Sequence, residues 1–132
     1  GEYFFSELNP LDNFMIHDDE DGKPVISFDN LAIRYGFSGA DGLLYQYTIL
    51  SADGRKVLTD RVNSTESKIP LSDLQSLLTA NERGAMDSAQ SFIVELRTMA
   101  AEKENWRKPV RLLLERDVQP LKFRLVGIER KR

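Results

Sequence analysis

The chain contains no cysteine, one histidine and one tryptophan among its 132 residues. Without thiols there are no disulfides, no thiolate metal sites and no cysteine nucleophile. A structural zinc centre takes four ligands, usually Cys and His, and His17 alone cannot supply them. The compartment stays open, because a chain of this length can bury an adequate core without covalent staples. No apolar run approaches the roughly 18 residues that a membrane helix needs, so direct membrane insertion is not expected. Neither G-x-G-x-x-G nor G-x-x-x-x-G-K-[ST] occurs, so nucleotide binding through a phosphate loop has no support. No internal repeat and no low-complexity segment is present.

What is there describes one ordinary globular domain, with 41% hydrophobic and 30% charged residues. The first residue is Gly, which reads as a processing scar, and the chain is expected to be one domain excised from a larger protein. The net charge of −3 conceals a split. Residues 1–101 carry 8 basic and 16 acidic side chains, whereas residues 102–132 carry 10 basic and 5 acidic ones. Such a split suggests either an anionic partner or basic final strands set against acidic earlier ones within the fold.

The hydrophobic pattern is mostly that of strands. Tyr3-Phe4-Phe5 and Phe14-Met15-Ile16 flank a polar stretch with Asn9-Pro10, and read as an N-terminal arm docking on the body. With the acidic turn that follows, the arm spans residues 1–23, leaving a β domain over 24–132. Val25-Ile26-Ser27-Phe28 is a short apolar run, and Ile33, Tyr35 and Phe37 alternate with polar or small residues. Leu43 to Ser51 is rich in aromatic and β-branched residues. Asp53-Gly54 then predicts a tight hairpin, with Lys56 to Val62 returning.

Leu71, Leu74, Leu77 and Leu78 share a helical face behind Pro70 and the Ser72-Asp73-Leu74-Gln75 capping box, predicting one short helix. Strict alternation resumes with Phe92, Val94 and Leu96 on one face and Glu95 and Arg97 on the other. It continues in Val110, Leu112 and Leu114, and again in Leu121, Phe123 and Leu125. Pro109 and Pro120 stand at strand beginnings, where a missing donor does least harm. The inward set Phe92, Val94, Leu96, Val110, Leu112 and Leu114 is expected to face a layer holding Tyr47 and Ile49.

Each candidate site meets a structural alternative. In His17-Asp18-Asp19-Glu20-Asp21-Gly22, placing Gly22 at position 6 of a calcium loop sets Asp21 and Asp19 at positions 5 and 3. Position 1 then falls on His17 and position 12 on Phe28, so the ligand pattern fails at both ends. The stretch reads as a turn bent at Asp21-Gly22. Gly36-Phe37-Ser38-Gly39-Ala40 lacks the final glycine of a nucleophile elbow and falls between strands instead of between a strand and a helix. Asn63-Ser64-Thr65 is a formal glycosylation sequon. Trp106-Arg107-Lys108 and Arg111, with Lys122 and Arg124 on the last strand, form a candidate surface for an anionic partner. There an indole stacks and the cations meet phosphates.

About seven short strands separated by turns resemble an immunoglobulin-like or fibronectin-III-like sandwich. The likeness rests on Tyr45 and Tyr47, the Asp53-Gly54 hairpin into Val57-Leu58, the Ile69-Pro70-Leu71 segment and the Phe92-Val94-Leu96 strand. Phe92 stands where such domains usually carry Tyr, so a tyrosine-corner hydrogen bond cannot form there. The resemblance implies an antiparallel two-sheet fold of six or seven strands with one short helix. It further implies a non-catalytic protein-interaction or spacer module, without metal or cofactor, whose partner is another protein or a neighbouring domain. The alternative is an OB-like barrel that binds single-stranded nucleic acid. Its order of three strands, a helix and two strands matches residues 25–62, 71–83 and 91–116.

Overall fold

The computed structural model describes residues 11–30, 44–71, 90–100, 105–106, 109–118 and 121–130. Within them lie nine strand segments and no helix: β1 (Leu11–Asp18), β2 (Pro24–Asn30), β3 (Leu44–Ser51), β4 (Val57–Ser64), β5 (Lys68–Pro70), β6 (Gln90–Ala100), β7 (Asn105–Trp106), β8 (Val110–Val118) and β9 (Leu121–Arg130). The helix expected from Leu71 and the alternation around Ile33–Phe37 fall outside the described residues. All pairings among the described strands are antiparallel. They make a small sheet in the order β1-β2-β5 and a large one in the order β4-β3-β6-β8-β9, with β7 on β6. Among the described strands none pairs from one sheet to the other. The layers are therefore those of a sandwich, and the described strands do not form the closed circuit of the OB-like alternative.

The alternating residues sit where the pleat must put them, since successive side chains in a strand point to opposite faces. Phe92, Val94 and Leu96 of β6, and Val110, Leu112 and Leu114 of β8, are all buried in one core. Tyr47 and Ile49 join that core from β3, which pairs with β6 in the same sheet and so does not belong to the facing layer. The facing layer is instead Leu11, Ile26, Phe28, Ile69 and Leu71. One aromatic contact joins the two layers. Phe28 meets Tyr45 edge to face at 5.0 Å, and within the large sheet Phe92 meets Phe123 at 6.0 Å and 90°. Phe92 thus contributes a ring contact where a tyrosine would have offered a hydroxyl. Asn30 donates to the buried Tyr45 hydroxyl at 3.2 Å, and burial raises the Tyr45 pKa despite that bond.

Phe14-Met15-Ile16, read from the sequence as part of a docking arm, lies within β1, which pairs with β2. The strand carries a bulge. The register shifts between Asp12 and Met15, and Asn13 adopts φ +54°, a conformation that asparagine tolerates better than most residues. Asn13 Nδ2 donates to Asp29 at 2.8 Å and holds the kink. Leu11 is consequently in the core with Phe14 and Ile16 packed against it, a spacing of three and then two that regular alternation does not produce.

The turns are built by aspartates. Asp19 accepts from the backbone N–H groups of Asp21 and Lys23, both at 2.9 Å, while Gly22 N donates to the Asp19 carbonyl at 3.0 Å. In the β3–β4 hairpin Asp53 accepts from Arg55 N at 3.0 Å and from Ser51 Oγ at 2.7 Å. That hairpin closes with Ser51 N donating to Lys56 O. The loop is therefore residues 52–55 and not a two-residue turn. Only Gly54 within it has positive φ, +75°.

The first and last described strands are fastened together. Arg130 Nη1 donates to the Leu11 carbonyl at 2.8 Å, Nη2 reaches Asp12 at 3.3 Å, and the guanidinium lies 5.9 Å from the Phe14 ring centroid. The clasp occupies a backbone acceptor of edge strand β1 and ties one side of the sandwich.

Leu112 is fully buried between both layers. Its truncation to Ala is expected to destabilise the domain by about 2–5 kcal/mol through the cavity left behind. A chemical denaturation midpoint that does not move would contradict the core assignment.

Candidate interaction face

The pleat that fills the core sends the other half of β3, β6, β8 and β9 to the outer side of the large sheet. There the register aligns residues in rows. Val57, Leu50, Ile93, Leu113 and Gly127 lie side by side across five strands. Leu50 and Ile93 are buried although they lie outside the main core, whereas Val57 is 52% exposed. The β8–β9 register shifts between Leu113 and Leu114, with Val126 as the extra residue, 53% exposed beside the end of the row. Leu113 packs over Gly127 so closely that a Cβ there would meet its Cδ1 at 3.1 Å.

Charged rows flank the apolar one. On one side Thr48, Glu95, Arg111 and Glu129 are in register, and on the other Ser91, Glu115 and Arg124, with Asp117 opposite Lys122 beyond. Glu95 accepts from Arg111 Nε at 2.9 Å and from Arg97 Nη2 at 3.0 Å. Arg124 donates to Glu115 at 2.7 Å and also to Asp117. The Arg111 side chain extends toward the β3–β4 turn, where a Cβ on Gly54 would lie 3.9 Å from Nη1.

These contacts decide the electrostatics. Burial pushes the Glu95 carboxyl up, but the hydrogen bonds and charges of Arg97 and Arg111 outweigh it, and its pKa lies below the usual value. Hydrogen bonds to Glu115, then Asp117, raise the Arg124 pKa. Individual exposed ion pairs contribute about 0–1 kcal/mol, so this arrangement defines a surface more than it stabilises a fold.

The expected anionic-partner residues are only partly brought together. Arg111, Lys122 and Arg124 share the outer face, each with a carboxylate beside it or in register. Trp106 is in β7, paired with Met99, and Arg107 and Lys108 lie outside the described residues. Alternation had already separated Glu95 and Arg97 from the core residues of β6. Their convergence with Arg111, and that of Glu115 and Asp117 with Arg124, needed the strand register.

The remaining motifs resolve into local structure. Asp19 is held by backbone donors, and the hydrogen bond from Lys23 is the largest influence lowering its pKa. His17 Nδ1 donates to the Asp18 carbonyl at 3.1 Å. Among the described residues no group of three or more His, Asp or Glu is placed to hold a metal ion. Asn63 is exposed near the end of β4 and accepts from Gln46 Nε2 at 3.3 Å. Gly36-Phe37-Ser38-Gly39-Ala40 lies outside the described residues. Comparison with protein families, with curated proteins and with solved structures finds no match for this chain.

Two outcomes follow from these contacts. Because folding depresses the Glu95 pKa, its stabilising contribution is present above the ordinary glutamate range and disappears as pH falls through the lowered value. Glu95→Gln should therefore flatten the acid limb of a plot of denaturation midpoint against pH; an unchanged acid limb would show that Glu95 adds nothing. For the acidic turn, added calcium should leave the melting temperature unchanged, since only a ligand that prefers the folded state raises it. A saturable rise abolished by Asp19→Ala and Asp21→Ala would show a cation site.

Proposed function

We propose that this chain is a non-catalytic interaction or spacer module of a larger multidomain protein, built on an immunoglobulin-like or fibronectin-III-like plan. The strand order carries this reading. Strands β1, β2 and β5 share one sheet, while β4, β3, β6 and β8 run side by side in the other. In immunoglobulin-type sandwiches the first, second and fifth strands likewise lie together, and the third, sixth and seventh lie opposite, joined in some members by an added strand beside the third. β4 takes the place of that added strand and β8 that of the seventh, with β9 as an extension. This likeness is one of layout, and the inference from layout to role is analogy.

The outer face supports an interaction role with a protein more than with a polyanion. It presents Arg97, Arg111, Lys122 and Arg124 alongside Glu95, Glu115, Asp117 and Glu129, four charges of each sign. A nucleic-acid surface draws its affinity from uncompensated cations that displace counterions, and here each phosphate contact would compete with a neighbouring carboxylate.

Trp106 provides a built-in probe. Its fluorescence should stay unquenched on titration with single-stranded oligonucleotide at physiological salt. Strong quenching at micromolar concentration, removed by Trp106→Ala in a protein that stays folded, would favour the nucleic-acid reading.

A further inference from the structure

We propose, independently of the interaction-module reading, that Arg130 is a latch on the start of β1. It holds that segment closed against a repulsion built into the small sheet. Its release opens the strand as far as the bulge while the rest of the sandwich stays folded.

The repulsion lies in the β1–β2 ladder. Asp12 and Asp29 stand directly opposite each other, and like charges so placed oppose the pairing. Two side chains compensate. Asn13 Nδ2 donates to Asp29 at 2.8 Å from within β1. Arg130 arrives from β9, in the other sheet, with Nη2 donating to Asp12 at 3.3 Å and Nη1 to the Leu11 carbonyl at 2.8 Å. The same guanidinium lies 5.9 Å from the centroid of the Phe14 ring. One side chain thus neutralises a carboxylate, bonds an edge carbonyl and covers a ring. The planar fork of arginine permits that combination, and the single ammonium of lysine does not.

The ladder sets how far the opening runs. The register shifts between Asp12 and Met15, where Asn13 has φ +54°. Beyond that break Met15 to Asp18 pair regularly with Ser27 to Pro24. They end in the turn that Asp19 closes through the N–H groups of Asp21 and Lys23. The bulge therefore separates a firmly closed hairpin from the start of the strand, which Leu11 anchors in the core and Arg130 at the edge. The Arg130 and Asp12 side chains are 39% and 54% exposed, so water competes for their contact and the latch opens without global unfolding. Release lifts Leu11 and Phe14 from the margin of the core and bares the edge of β2 at Asp29 and Asn30.

Amide hydrogen exchange followed by NMR tests the latch residue by residue. In the unmodified protein, the protected amides among Leu11, Asp12, Asp29 and Asn30 should exchange faster than those of β6. Their rates should also be indifferent to low urea, because a local opening exposes little surface. Arg130→Ala should raise these rates about tenfold or more, through loss of a hydrogen bond from a charged group, and leave them indifferent to urea. Adding Asp12→Asn to Arg130→Ala should bring them back toward the unmodified protein, since it removes the repulsion that the latch opposes. Asp12→Asn alone should change little, because it removes the attraction to Arg130 and the repulsion from Asp29 together. Should the alanine variant fold poorly, Arg130→Lys is expected to give a smaller rise in the same amides. Rates unchanged by the Arg130 substitutions would overturn the latch, as would exchange at Leu11 and Asp12 that follows urea as steeply as exchange in β6. A double variant that exchanges as fast as Arg130→Ala alone would overturn it too.

Discussion

The two-residue pleat of β6, held between β3 and β8, is the constraint on which the rest of the structure depends. Its inward residues Phe92, Val94 and Leu96 are all buried, and its pairing extends from Gln90–Arg116 to Leu96–Val110 on one side and from Ser51–Phe92 to Leu44–Met99 on the other. A slip of one residue would turn every one of these side chains to the wrong face. One choice of register therefore sets two surfaces. It places the core, and it also brings Glu95 beside Arg111 and Ile93 beside Leu113 on the outside.

The large sheet nevertheless cannot close the domain by itself. Its inner face needs the small sheet, and that sheet reaches it through irregularities. The kink at Asn13 allows both Leu11 and Phe14 to turn inward, and Arg130 then crosses to the Leu11 carbonyl. The bulge at Val126 has a comparable effect on β9. Leu125 packs against the core and Gly127 opens the space that Leu113 fills, while Val126 itself is left exposed. Irregular strands at the edges and regular strands at the centre are consistent with the need to keep exposed edges from pairing indiscriminately.

On the charged face the arrangement of charges differs from what composition suggests. A basic final segment following an acidic body suggests a site for anions. Once folded, Arg111, Lys122 and Arg124 are set beside carboxylates of β6, β8 and β9, so the basic character of the final strands is locally balanced on this face. Such a face gains specificity from the order of its charges more than from their sum.

The central strands, their inward residues and the turns at Asp19 and Asp53 were determined by the sequence itself. Alternation, β-branched content and Asp-Gly pairs act over neighbouring residues and need no distant partner. Phe14 and Ile16 were legible as apolar but not as a strand, because the bulge that faces them inward is stabilised by Asp29, far along the chain. Likewise, nothing local tells Glu95 that it will meet Arg111, or Arg130 that it will find Leu11. Those contacts exist only after strands remote in sequence have been brought into register. Tertiary structure therefore decided the sheet order, the clasp and the composition of the outer face: each joins groups whose separation along the chain leaves no trace in the local pattern.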